Sequence, residues 1–313
     1  LRVIAEGEGL IEVEDLSKDY GGLKALEGVT LRVKEGETLG LIGPNGAGKT
    51  TLIRILTGQI PPTGGRILLD GKPVDPRDRS YRLRVGLVPQ EPSFYGRLTA
   101  MENLRLLGEL YRLSGDDLQR RCEALLSLVG LREDAHRQVR HFSGGMRQKL
   151  SVAMGLVHDP EIVYLDEPTS GLDPAARTAV WSALGLLSEE GKTVILTTHF
   201  MEEADRLCHR IALLVHGRIR RTGTPEEVKE ILGKDRLEIR LRRVEGKELD
   251  RLCRELNLHW ETVEEGMVIL RGPDLADKIP RLSSALSGSI VTLHYRETTL
   301  EDAFVRFVEE VGD

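Results

Sequence analysis

The sequence predicts an α/β protein: a strand–loop–helix core with a helical block inserted into it, followed by a small domain of α+β type. Three observations carry this. Short apolar runs at 38–42, 162–165 and 193–198 each end in glycine, acid or histidine at a turn, as buried strands of a layered sheet do. From 99 to about 130 the repeat becomes helical, with Leu104, Leu107, Leu110 and Tyr111 in one stretch and Leu118, Cys122, Leu125 and Leu126 in the next. From about Lys234 the chain changes character again and reads β-α-β-β-α-β, a ferredoxin-like order.

Taken in order, residues 10–16 alternate enough to predict an edge strand. Tyr20 stands before a turn and a second strand at 29–33. It reads either as a half-buried strand-end aromatic or, given the loop that follows, as a platform for a base. Residues 43–51, Gly-Pro-Asn-Gly-Ala-Gly-Lys-Thr-Thr, fit G-x-x-x-x-G-K-[ST], the nucleotide phosphate loop, between a buried strand and a helix. Gly43, Gly46 and Gly48 have no Cβ, so the backbone can curl and bring the N–H groups around Asn45, Ala47 and Thr51 close to an anion. The helix start adds positive partial charge there. Lys49 is expected to reach the β and γ phosphates and the Thr50 hydroxyl to hold Mg²⁺.

A strand and turn follow at 66–72, then a short strand at 85–90 that ends in Gln90. In the helical block, Ser114-Gly115-Asp116 is a plausible N-cap region. Ser143-Gly144-Gly145 at the start of a further helix forms a second anion-ready site. The strand at 162–166 runs into Asp166-Glu167. After a phosphate loop, such acids suit Mg²⁺ coordination by Asp166 and polarisation of the attacking water by Glu167. Residues 168–174 turn into a helix at Ala175, and the strand at 193–198 ends in His199, on the edge where α/β folds place ligands. Residues 211–215 and 217–220 close as a hairpin.

Composition narrows the function classes. A chain of 313 residues has room for a sizeable core and two domains. At 40% hydrophobic and 30% charged residues it reads as soluble and globular, and a net charge of −6 argues against a broad nucleic-acid-binding surface. Cys122, Cys208 and Cys253 have neither metal spacing nor a disulfide framework and are expected as buried thiols in a reducing compartment. No apolar run approaches the roughly 20 residues that span a bilayer. Action at a membrane is therefore expected to go through a partner.

Together these landmarks resemble the ATP-binding-cassette (ABC) ATPases, within the P-loop NTPase class, over about residues 10–232. In the family's order, Tyr20 matches the adenine-stacking aromatic, Gly43 to Thr51 the Walker A loop and Gln90 the Q-loop glutamine. Ser143-Gly144-Gly145 matches the signature, Asp166-Glu167 the Walker B pair, Ser170 to Asp173 the D-loop, and His199 the switch histidine. Phe142 and Met146 stand where the commonest signature has Leu and Gln, while its anion-contacting core is intact.

The resemblance implies ATP and Mg²⁺ as cofactors, and two cassettes facing head to tail with each nucleotide between Walker A of one and the signature of the other. It assigns phosphate neutralisation to Lys49, the metal to Thr50, Asp166 and Gln90, water activation to Glu167, and γ-phosphate contact to His199. Asp173 joins the nucleotide-binding set. It implies a cassette over 1–233, with its helical subdomain at about 99–158, and an accessory or regulatory domain over 234–313.

In that extension, strands are expected at 237–241, 259–263, 267–270 and 290–295, with helices at 248–256 and 275–286. The last segment has Thr298 and Glu301 at capping-box spacing and an apolar stripe of Leu300, Ala303, Phe304, Phe307, Val308 and Val311, expected to pack on the extension's own sheet or at a subunit interface. Thr299 to Phe304 resembles the Thr-Leu-Glu-Asp-x-Phe ending common in ATPase subunits of drug-resistance-type exporters. That implies a cytoplasmic subunit on the inner face of the cell membrane, paired with a second copy and serving a permease on a separate chain. An importer subunit shares the same core. The competing class, a soluble ABC ATPase acting on nucleic acid or ribosomes, usually carries two cassettes or long coiled-coil arms. Here there is one Walker A, no long heptad run and an acidic balance, so no nucleic-acid partner is expected.

Overall fold

The computed structural model describes residues 9–232, 235–242, 246–264, 266–297 and 299–312. The chain divides into two compact units, Leu1–Thr224 and Pro225–Asp313.

The first unit opens with β1 (Ile11–Asp19), β2 (Lys24–Val33), β3 (Thr38–Ile42) and α1 (Lys49–Leu56). A hairpin of β4 (Gly64–Leu69) and β5 (Lys72–Val74), a turn of helix α2 (Arg79–Arg82) and β6 (Val85–Val88) follow. The helical block holds α3 (Ala100–Leu110), α4 (Gly115–Leu128) and α5 (Gly144–Gly155). The core resumes with β7 (Ile162–Asp166), α6 (Pro174–Glu189), β8 (Thr193–Thr198), α7 (Met201–Leu207), β9 (Arg210–Val215) and β10 (Arg218–Gly223).

Two sheets form. One has the order β2-β1-β4-β5, the other β10-β9-β3-β8-β7-β6. The second is parallel from β9 to β6, and β10 closes it antiparallel to β9 as the predicted hairpin. Leu52, Ile53, Ile55 and Leu56 of α1 belong to one apolar core with Leu39 and Leu41 of β3 and Ile11 and Val13 of β1, so the helix after the loop is anchored on nearly all sides. At roughly 1.5–3 kcal/mol for each such side chain removed from water, this packing holds the start of α1 in place. The edge position expected for the first strand is not observed: β1 pairs with β2 on one side and β4 on the other. Its acids are accommodated because Arg32 Nε reaches Glu12 Oε2 at 2.8 Å and Arg66 pairs with Glu14.

Local rules explain the helical block. Thr99 Oγ1 accepts from Glu102 N at 3.2 Å and Glu102 Oε2 accepts from Thr99 N at 2.7 Å, a reciprocal box that starts α3. Ser114 holds the N-cap position of α4 without a side-chain cap, and Asp116 and Asp117 complement the helix dipole instead. A Cβ on Gly108 would fall 2.3 Å from Leu118 Cδ1, which is how closely α3 and α4 approach. Cys122 is buried there, and Cys208 and Cys253 are likewise free and buried.

The second unit contains α8 (Pro225–Leu232), β11 (Arg236–Leu241), α9 (Gly246–Glu255), β12 (His259–Glu264), β13 (Met267–Arg271), α10 (Leu275–Ala285), β14 (Ile290–Arg296) and α11 (Leu300–Gly312). The sheet order β12-β13-β11-β14, antiparallel throughout, is the ferredoxin-like arrangement that the element order predicts. Leu237, Ile239, Leu249, Cys253, Val268, Leu270 and Leu282 form its core.

Helix α8 belongs to this unit, whereas the sequence puts the boundary after it. Val228 is buried, and α8 packs along α11. The apolar stripe of α11 thus meets mainly a helix, with Leu300, Ala303 and Phe307 buried and the side chains of Val308 and Val311 outside the described residues. Thr298, expected as the cap, also lies outside them. The observed box is one residue on, where Thr299 Oγ1 accepts from Asp302 N at 3.1 Å and Asp302 Oδ2 accepts from Thr299 N at 3.2 Å.

Candidate functional site

Parallel pairing assembles the site. β3, β8, β7 and β6 lie side by side, with Ile42 opposite Thr198 and Asp166 opposite Thr197. Their C-terminal tips therefore share one edge, where α/β sheets place ligands. Gly43 leaves β3 there, His199 leaves β8, Glu167 leaves β7, and Gln90 follows β6.

The loop from Gly43 to Gly48 needs its glycines for two different reasons. Gly46 and Gly48 have φ of 81° and 107°, the left-handed region, with Gly48 at the N-cap of α1. Gly43 is a matter of space, because a Cβ would lie 2.2 Å from the Leu214 carbonyl oxygen on β9. Gly43→Ala must push the loop away from that strand and is expected to lower nucleotide affinity and Tm together, as checked by nucleotide titration and thermal melting of one preparation. The first N–H groups of α1 have no intrahelical carbonyl, as at any helix start, and point into the cradle. Lys49 is 5% exposed and folds back across it, with Nζ donating to Gly43 O at 2.7 Å and Pro44 O at 3.2 Å. Burial pulls its ammonium below the usual lysine range, and the nearby Glu167 and Asp166 charges oppose that shift. Asn45, Ala47 and Thr51 lie in the same loop and helix start.

The four residues predicted as catalytic meet at one carboxylate. Lys49 Nζ is 3.6 Å from Glu167 Oε1, Gln90 Nε2 donates to Glu167 Oε2 at 3.3 Å, and His199 Nδ1 is 3.1 Å from the same oxygen. Glu167 is the residue that turns the chain off β7, with φ of 46° and its N–H bonded to Thr197 O at 3.0 Å. Asp166 is buried beside it. Asp166 Oδ1 accepts from Thr197 Oγ1 at 2.6 Å and from Thr50 Oγ1 at 3.3 Å. A carboxylate and a hydroxyl at one edge are the hard oxygen donors that Mg²⁺ takes, and the glycine cradle with its cation and free N–H groups fits a polyphosphate.

The remaining predicted residues lie elsewhere in the unit. Tyr20 is 48% exposed just beyond β1, with Lys18 Nζ 5.0 Å from its ring centroid. Ser143 caps α5 by accepting from Met146 N at 3.3 Å, and a Cβ on Gly145 would fall 2.8 Å from Ala176 Cβ, so α5 sits hard against α6. Asp173 caps α6 by accepting from Ala176 N at 3.0 Å. Among the described residues no hydrogen bond or ion pair joins Ser143, Gly144, Gly145 or Asp173 to the phosphate loop.

A family model for ABC transporters matches residues 26–170. Over 302 residues the chain is 39% identical to the Nod factor export ATP-binding protein I of Cupriavidus pinatubonensis, covering 95% of this chain and 90% of that one. This chain belongs to the ABC transporter ATP-binding family. The daunorubicin resistance ATP-binding protein DrrA3 of Streptomyces coeruleorubidus is 39% identical over 296 residues, covering 95% and 92% of the two chains. Among solved structures, an ATP-binding subunit of an ABC transporter superposes with a TM-score of 0.63 at 35% identity over 71% of this chain and 92% of that one. A dimeric ATP-binding cassette in a post-hydrolysis state with ADP and Pi gives a TM-score of 0.61 at 30% identity over 68% and 98%. The chain is thus an ABC ATPase.

Two buried polar residues near the cluster escape the motif reading. Thr197 holds both Asp166 and the turn at Glu167. Its signal in the sequence is a hydroxyl at the end of an otherwise apolar run. Glu203, a fully buried acid in α7, accepts from Thr169 and Trp181 and carries no motif of its own.

Proposed function

We propose that the cassette is the ATP-hydrolysing subunit of an exporter, powering a permease on a separate chain through ATP-driven head-to-tail pairing of two copies. The meeting of Lys49, Gln90 and His199 on Glu167 carries the hydrolytic part of this reading. Tyr20 stacks on the adenine, the loop from Gly43 to Thr51 cradles the phosphates, and Lys49 neutralises their charge. Thr50 and Asp166, with Gln90 beside them, would hold Mg²⁺, which when bound screens the phosphate oxygens. Glu167 orients or deprotonates water, and His199 contacts the γ-phosphate. Ser143, Gly144, Gly145 and Asp173, which leave the phosphate loop of their own chain alone, serve the nucleotide of the second copy.

Export is supported by the names of the relatives, one in Nod factor export and one in daunorubicin resistance. Among the described residues no helix is long and apolar enough to cross a membrane. An apolar groove of about 320 Å³ just beyond Gln90, lined by Phe94, Tyr95, Leu106, Leu107, Leu110 and Met154, suits a permease segment; Tyr95 is 65% and Leu110 73% exposed beside it. In this reading the subunit works on the cytoplasmic face of the membrane. The acidic balance speaks against a nucleic-acid partner, and the second unit serves as an accessory or regulatory domain.

Light scattering of Glu167→Gln with and without Mg-ATP tests the pairing. A monomer that becomes a dimer only with Mg-ATP is expected. A protein that stays monomeric at saturating Mg-ATP would sink self-driven pairing.

A further inference from the structure

Glu203 lies four residues after His199, in the first turn of α7, and is 0% exposed. Its Oε1 accepts two hydrogen bonds from different parts of the chain. Thr169, fully buried and two residues after Glu167, donates its hydroxyl at 2.9 Å, and Trp181 on α6 donates Nε1–H at 2.9 Å. Oε2 is buried with no hydrogen-bond partner. Burial pushes this carboxyl above its usual range, while the Thr198 and Thr169 hydroxyls, the Trp181 N–H and the Arg177 charge oppose that shift. A second link runs alongside: the Arg177 guanidinium of α6 lies 3.9 Å from the ring centroid of Phe200, whose own ring packs 4.1 Å from that of His199.

We propose that Glu203 is a positioning residue for ATP hydrolysis: its carboxyl ties the turn after Glu167 to the turn after His199 and so holds His199 Nδ1 and Glu167 Oε2 at 3.1 Å. The inference rests on the assignment of Glu167 and His199 to the hydrolytic site. The two residues sit at the tips of neighbouring strands, and the strands alone fix their backbones only as far as Asp166 and Thr198. Beyond that point each tip is a turn. Glu203 supplies an acceptor shared by a residue of one turn, Thr169, and by α6, from a helix that grows directly out of the other. What the site needs from Glu203 is an acceptor oxygen of the right length, not a charge.

That distinction sets the test. Glu203→Gln keeps the acceptor and is expected to hydrolyse ATP within about twofold of wild type. Glu203→Leu strands the Thr169 hydroxyl and the Trp181 N–H, and kcat is expected to fall about tenfold to a hundredfold with little change in KM for ATP. Thr169→Val removes one donor without changing volume, reads the same link if Glu203→Leu does not fold, and is expected to be non-additive with it. In a Trp260→Phe background, emission from Trp181 reports the tie without turnover, and Glu203→Leu is expected to shift it where Glu203→Gln does not. Wild-type kcat in both Glu203→Leu and Thr169→Val, Glu203→Gln as impaired as Glu203→Leu, or a shifted Trp181 emission with unchanged kcat would each overturn the proposal. Full turnover by Glu167→Gln would instead overturn the underlying assignment, whatever the Glu203 variants do.

Discussion

Glu167→Gln is expected to lower ATP turnover by about 10²–10⁴-fold, the range for losing a positioned general base, while nucleotide affinity stays near that of wild type. The amide keeps the length of the side chain and an oxygen that can accept from Gln90 Nε2, now at 3.3 Å from the carboxylate. It loses the charge that stands 3.6 Å from Lys49 Nζ. Lys49 then loses one competitor for a phosphate while keeping its bonds to the Gly43 and Pro44 carbonyls, so binding has no reason to weaken. Phosphate release and nucleotide titration on the same preparation separate the two quantities. A turnover rate equal to wild type would show that water is activated from elsewhere and that the cluster on Glu167 serves only to close the resting site.

Lys49→Ala acts on the other side of the same contact. A charge-assisted hydrogen bond to phosphate contributes about 1.5–3 kcal/mol, so nucleotide affinity is expected to fall by about tenfold to a hundredfold or more, with hydrolysis falling further. The variant also leaves the Gly43 and Pro44 carbonyls without the ammonium that bridges them at 2.7 and 3.2 Å. Lys49→Met, which restores the stem but not the charge, separates loss of packing from loss of charge. Binding isotherms for both variants, read beside thermal melts, give the answer. Wild-type affinity in Lys49→Met would remove the lysine from the phosphate site.

Much of the cassette is legible in its sequence because its buried parallel strands are short apolar runs whose polar ends meet along one edge. Ile162 to Leu165 before Asp166, and Val194 to Leu196 before Thr197, are of this kind. Spacing also suffices for the phosphate loop, since a helix start and three glycines leave few other uses. What stays hidden depends on pairing across the chain. The alternation of Ile11, Glu12, Val13 and Glu14 suggests one wet face and an edge, yet Arg32 from β2 and Arg66 from β4 neutralise those acids in the middle of a sheet. The capping box lies one residue beyond the Thr298–Glu301 spacing, where Asp302 reaches back to the Thr299 N–H. Glu203 is invisible for the same reason: the second of two acids in Met-Glu-Glu-Ala gives no hint that Thr169 and Trp181 will both end on it.

The φ of 46° at Glu167 has a consequence for how such a chain evolves. A side chain with a Cβ held in that conformation costs roughly 1–2 kcal/mol relative to glycine, and a β-branched one costs more. The backbone at this position would thus relax if the side chain were deleted, so, on the role proposed for Glu167, a screen that rewards only heat resistance would reward glycine here and return inert proteins. Selection for work, not for robustness, is what keeps an acid in that turn, and the cassette carries its activity as a permanent local debt against its own fold.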